Sequence, residues 1–131
     1  MKKLIALLLL SLTCAMPAFA GDVKVRVAIA VDGNTKPATV FASSVPKLYA
    51  YFLTEGTEKG DKIRGVWIAE DTNGAAPANY KIDESSLQGD KDNFGGGFAL
   101  SKPNGGWPVG KYRVEVYVDD DLEATAKFQI K

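Results

Sequence analysis

Acidic side chains are the only abundant source of reactive chemistry in this sequence, which holds 16 Asp and Glu residues and no histidine. Histidine is the commonest general base and the commonest transition-metal ligand, so both roles fall to other groups. A Ser-His-Asp triad is excluded outright. Ser43, Ser44 and Lys47 are near enough in sequence for a Ser-Lys dyad, but they sit in loop context without a serine-nucleophile motif. Two carboxyls held about 5–10 Å apart across a cleft are enough for glycoside hydrolysis. No acidic pair here lies in a pattern that predicts a cleft, so a carboxylate-pair hydrolase ranks below the binding functions. Asp119-Asp120-Asp121, and Asp71 with Asn73 and Gly74, faintly resemble calcium loops. Calcium takes about six to eight oxygens, and a three-residue turn supplies few. Asp and Asn also favour turns for conformational reasons alone. No catalytic residue, cofactor or metal site is expected, and whether Asp119–Asp121 holds calcium stays open.

Aromatic side chains are the stronger candidates. Tyr49, Tyr51 and Tyr117 alternate against the more aliphatic positions of their segments, and Trp107 stands in a Gly/Pro-rich turn. If the tyrosine strands are neighbours, the three rings make one exposed patch; the other candidate surface is the end loops from which Trp107 would project. Such rings bury much area at low entropic cost and suit recognition of a protein or a sugar. The structural alternative is that the tyrosines pair across strands and that Trp107 folds over the end of the domain.

The elements that position these residues follow a period of two, the pattern of half-buried strands. Val23, Val25, Val27, Ile29 and Val31 alternate with Lys24, Arg26, Ala28 and Ala30. A weaker strand is predicted over 38–42, then strands over 47–54, 62–70, 80–83 and 94–101. The clearest lie at the end: Tyr112, Val114, Val116 and Val118 share one face, and Leu122, Ala124, Ala126, Phe128 and Ile130 share another. Residues 85–93 read as polar and exposed, and Gly95–Gly97 as a bulge or a flat edge. Outside the N-terminus nothing carries a helical period. About seven short strands with regular turns predict an all-β sandwich or barrel.

The first twenty residues read as an export signal rather than as part of the fold. Met1-Lys2-Lys3 is a positive start, Leu4–Leu12 is an apolar run, and Ala18-Phe19-Ala20 fits a signal-peptidase site. The run is well short of the roughly 20 residues that span a bilayer. Cleavage after Ala20 leaves one domain, 21–131, periplasmic or secreted, with no membrane span. The single cysteine, Cys14, departs with the leader. Lipidation at Cys14 is disfavoured by Thr13 and Ser11. The 16 basic and 16 acidic residues balance, and no basic stripe gathers phosphate contacts, so nucleic acid is not an expected partner.

Trp67 falls mid-strand, and Tyr112 opens the penultimate strand at the place of a tyrosine corner. The segment Trp107-Pro108-Val109-Gly110-Lys111-Tyr112-Arg113-Val114-Glu115-Val116-Tyr117-Val118, with its acidic turn and a final strand ending Phe128-Gln129-Ile130, resembles the closing hairpin of immunoglobulin-like domains of secreted bacterial proteins. The stretch 60–68 fits the same pattern, so the resemblance covers most of 45–131. It implies an immunoglobulin-like antiparallel β-sandwich and carries no activity or site residue with it. The expected function is a non-enzymatic envelope or secreted binding or adaptor module, its partner an envelope protein or a polysaccharide. The alternative is a carbohydrate-binding module that uses Trp107 and the tyrosines.

Overall fold

The computed structural model describes residues 23–90 and 92–131. The leader assigned to 1–20 lies outside the described residues. Among those described, no helix is long and apolar enough to cross a membrane.

Eight strands form: β1 Lys24–Ala30, β2 Val40–Phe41, β3 Lys47–Glu55, β4 Lys62–Asp71, β5 Tyr80–Gln88, β6 Gly95–Ser101, β7 Gly110–Val118 and β8 Asp121–Ile130. They make a three-stranded sheet in the order β1-β3-β6 and a five-stranded sheet in the order β2-β8-β7-β4-β5. All pairings are antiparallel except the short β2–β8 contact. The alternation read from the sequence places the inner layer. Leu48, Ala50 and Phe52 of β3 meet Val114 and Val116 of β7 in one core with Ile29, Ile63, Trp67, Phe98, Phe128 and Ile130. Removing such side chains from water is the main favourable contribution to folding.

The strand assignment differs from the sequence reading in one element. β5 runs on through Gln88, although residues 85–88 carry no buried face. It is an edge strand whose pairing with β4 holds it extended despite a polar pattern.

The three consecutive glycines are explained by close approach rather than by a bulge. The β3–β6 register is unbroken from Lys47↔Ser101 to Leu53↔Gly95. A Cβ at Gly96 would stand 2.8 Å from the Phe52 ring, and one at Gly97 would stand 3.1 Å from the Tyr51 ring. Gly65 does the same between the sheets, where a Cβ would fall 2.5 Å from Phe98 Cδ2. The short loop between β7 and β8 is also set by backbone geometry. Asp119 and Asp120 both have positive φ, the conformation that two-residue hairpin turns require and that Asp tolerates.

Gly65→Ala therefore overpacks the space between the sheets. It is expected to destabilise the domain by about 1–3 kcal/mol in urea unfolding. Phe98→Leu in the same chain should recover part of that loss, because the smaller side chain frees the position the new methyl needs.

Candidate functional site

The four aromatic residues singled out in the sequence divide among three environments. Tyr49 and Tyr51 lie on the outer face of the three-stranded sheet and stack on each other, with ring centroids 5.6 Å apart and planes 16° apart. Tyr117 lies on β7, on the outer face of the other sheet, so the single three-ring patch does not form. Strand parity told inside from outside, but it does not tell which sheet an outside residue belongs to. Trp107 does not project. It is 2 % exposed, its backbone N–H donates to Ser43 O, and its indole Nε1–H donates to Val45 O at 2.8 Å. A large ring in a turn gains more by covering the sandwich end than by standing in water.

Trp107 thus belongs to an aromatic cluster. It meets Tyr112 edge to face, Tyr112 stacks on Phe128 at 5.2 Å, and Phe128 meets Trp67 edge to face. The Tyr112 hydroxyl donates back to Pro108 O, four residues upstream, which is the tyrosine corner expected from the sequence. Burial pushes the Tyr112 pKa up to about 12.

Tyr117 is part of a polar layer. Its hydroxyl donates to Glu115 at 2.8 Å, and this bond raises its pKa above the ordinary phenol value. The Arg64 guanidinium lies over its ring at 4.1 Å and pairs with Glu84 and Asp120. Arg113 joins Glu115 and Glu70. The two carboxylates brought together here share a guanidinium on a sheet exterior, where both act as ion-pair acceptors. In the β7–β8 turn, the Asp119 carboxylate accepts the Lys62 N–H at 2.9 Å. Among the described residues no three metal-ligating side chains converge.

The face around Tyr49 and Tyr51 is of a different kind. The β1–β3–β6 register sets three rungs: Ala30–Tyr49–Ala99, Ala28–Tyr51–Gly97 and Arg26–Leu53–Gly95. A column of large side chains on the central strand rises between smaller neighbours, with Arg26 at one end. Leu53, which the sequence reading did not single out, continues the column and is 56 % exposed, against 37 % for Tyr51. Its signal was its parity with the two tyrosines. An open groove of about 640 Å³ runs between the β1 edge and β8 of the other sheet, lined by inward-facing Val25, Val27 and Phe52 as well as by Tyr51, Leu53 and Glu123. The Tyr49 ring is covered on one side by Tyr51, and Lys47 Nζ lies over it, 5.9 Å from its centroid.

Comparison with solved structures identifies this arrangement. An immunoglobulin-like protein from Pseudomonas aeruginosa superposes with a TM-score of 0.51 at 16% identity, over 85% of this chain and 93% of that one. The fold is an immunoglobulin-like β-sandwich. The same immunoglobulin-like sandwich is similar to parts of larger proteins. An alkylpurine DNA glycosylase of Pseudomonas fluorescens matches with a TM-score of 0.52 at 14% identity, over 85% of this chain. A β-glucosidase of Listeria innocua matches at 0.53 and 9%, over 84% of this chain. This chain spans only 31% of that glycosylase and 16% of that glucosidase. No protein-family model matches the sequence, and no curated protein gives a significant match.

Two measurements check the aromatic end. Both tryptophans are 2 % exposed, so emission should be blue-shifted and hardly quenched by iodide; strong quenching would place Trp107 in water. Tyr112 holds its proton in the folded state up to about pH 12, whereas the unfolded chain releases it near pH 10. Its contribution is complete below pH 10 and is lost as pH rises from about 10 to 12. Tyr112→Phe should flatten that decline, and at neutral pH should lower stability by about 1 kcal/mol through loss of the bond to Pro108.

Proposed function

We propose that this chain is a non-enzymatic binding module that works in the cell envelope or outside the cell and recognises a protein through the outer face of its three-stranded sheet. The observation that carries this reading is the Tyr49–Tyr51–Leu53 column, half-buried at Tyr49 and exposed at Tyr51 and Leu53, flanked by Ala28, Gly95, Gly97 and Ala99. Large apolar side chains exposed in a contiguous row mark an interaction surface far better than scattered ones do. Tyrosine adds a hydroxyl at the tip of a rigid ring, a combination frequent at the energetic centres of interfaces. The leader-like residues 1–20 support an exported location.

Protein is favoured over polysaccharide by the ring geometry. Sugar stacking needs a ring face turned to solvent. Trp107 is buried, and the faces of Tyr49 look along the strand at Lys47 and Tyr51. What the column leaves most open is the Leu53 side chain, with Tyr51 partly open beside it, a shape that suits insertion into a partner's surface.

The test is a triple substitution, Tyr49→Ala, Tyr51→Ala and Leu53→Ser, compared with Tyr117→Ala in capture from envelope extract. The first should lose a partner that the unchanged chain retains, weakening binding by at least about tenfold for each energetically central ring. Tyr117→Ala should keep it. Equal capture by all three proteins would remove this face from consideration, and saturable binding of a cell-wall glycan that needs Tyr49 would replace protein with sugar.

A further inference from the structure

The two sheets end in edge strands, and all but one of them carry charge or are too short to matter. β1 presents Lys24 and Arg26, β5 presents Lys81, Asp83 and Glu84, and β2 has only two residues. β8, beyond its contact with β2 at residues 129–130, carries Glu123 and Lys127. β6 reads Gly-Gly-Gly-Phe-Ala-Leu-Ser, seven residues without a charge or a proline. Charges, prolines and shortness are the devices by which edge strands avoid pairing with other chains, and β6 has none of them.

The main-chain geometry of that edge is fixed by its neighbours. The Thr54 N–H donates to Phe94 O, and the Lys102 N–H donates to Pro46 O, both at 2.9 Å. With the continuous antiparallel register between them, the even-numbered residues of β6 turn their N–H and C=O toward β3. Gly95, Gly97, Ala99 and Ser101 therefore turn theirs away from the sheet. Among the described residues β6 pairs with β3 alone. The side chains of these four residues are no larger than a hydroxymethyl, and all four residues are exposed, so nothing screens the row.

We infer that β6 pairs antiparallel with β6 of a second copy of this chain, joining the two three-stranded sheets into one continuous sheet. A two-fold axis at Phe98 sets Gly95 against Ser101 of the other copy and Gly97 against Ala99. Every outward main-chain group of the four residues then meets its complement; none of these four side chains opposes another with bulk, and Phe98 meets its own copy on the axis from the inner face. The same register brings Lys102 of one copy to the end at which Asp92 of the other stands, and these two charges are opposite in sign. Edge pairing of one strand buries less than the roughly 1,200 Å² of a standard stable interface, so the association is a concentration-dependent equilibrium. It does not depend on what the tyrosine column recognises.

Sedimentation of the purified protein, together with amide exchange, tests this pairing. Mass should rise toward the dimer with concentration, and exchange at Gly97 and Ala99 should slow by at least about fivefold over the same range, with no such change along β1 or β5. Ala99→Pro removes an N–H that points away from β3 and should weaken association by at least about tenfold. Ala99→Lys, which keeps that N–H and adds edge charge, should have the same effect and serves if the proline variant fails to fold. A monomeric mass with concentration-independent exchange overturns the inference. So does protection that appears at β1 or β5 instead, or a folded Ala99→Pro protein that dimerises as tightly as the unchanged chain.

Discussion

The contact on which the rest of this molecule depends is the stack of Tyr112 on Phe128, with Trp67 and Trp107 set edge-on around it. These rings come from β4, β7, β8 and the loop before β7, so they tie the centre of the five-stranded sheet to the turn that closes the sandwich. Two of its polar atoms have fixed partners: the Trp107 indole on Val45 O and the Tyr112 hydroxyl on Pro108 O. Both acceptors are main-chain carbonyls of connecting segments. The cluster thereby anchors two loops as well as filling the interior, and it does so without leaving a buried donor unpaired. Aromatic rings packed edge-on or offset add about 0.5–1.5 kcal/mol per pair beyond the area they bury.

Much of this was legible in the sequence because it is local. Alternation along 47–54 and 111–118 marks which side chains face inward, and it holds in the structure at Leu48, Ala50, Phe52, Val114 and Val116. Tyr112 was recognisable because a corner tyrosine needs only its own strand and the turn just before it. What was not legible depends on which strands become neighbours. Tyr51 and Tyr117 have equivalent parity within their strands, yet one strand joins β1 and β6 and the other joins β4 and β8. The second half of β5 is hidden for the same reason, since residues 85–88 have no buried face to announce a strand and are held by pairing with β4. Trp107 was ambiguous because a Gly/Pro turn fixes where a side chain starts and not the surface it folds onto.

The glycines of β6 belong to this class of nonlocal information. In isolation three glycines weaken a strand, since each loses more conformational freedom on folding than other residues do. Paired with Phe52, Tyr51 and Leu53 they are the condition for a ridge of large side chains on β3. Residues with larger side chains at 95 and 97 would crowd the column on its outer side, and one at 96 would displace Phe52 from the core. The exposed column and the bare strand edge are therefore two consequences of one packing choice.

The outer faces of the two sheets show how different that choice is from its alternative. On the five-stranded sheet, Val66 and Ile68 also point outward, yet they are only 4% and 7% exposed. Val66 is flanked in register by Glu84 and Glu115, and Ile68 by Lys81 and Arg113. The aliphatic stems of such residues cover the apolar positions while their charged ends remain in water. The surface ion pairs themselves contribute little, about 0–1 kcal/mol each. Their use is to hold that cover in place, as Arg113 does by joining Glu70 and Glu115. The three-stranded sheet had the same chemistry available and lacks the cover. Its positions beside Tyr51 are Ala28 and Gly97, which reach nothing, and Arg26 beside Leu53 is 82% exposed, extended toward Glu55. Val66 and Ile68 are thus covered at the centre of one face while Tyr51 and Leu53 stand open on the central strand of the other; what the five-stranded sheet exposes, Val40, Tyr80, Leu87 and Leu122, lies on its outer strands. Folding accounts for the first arrangement, and the proposed recognition rests on the second.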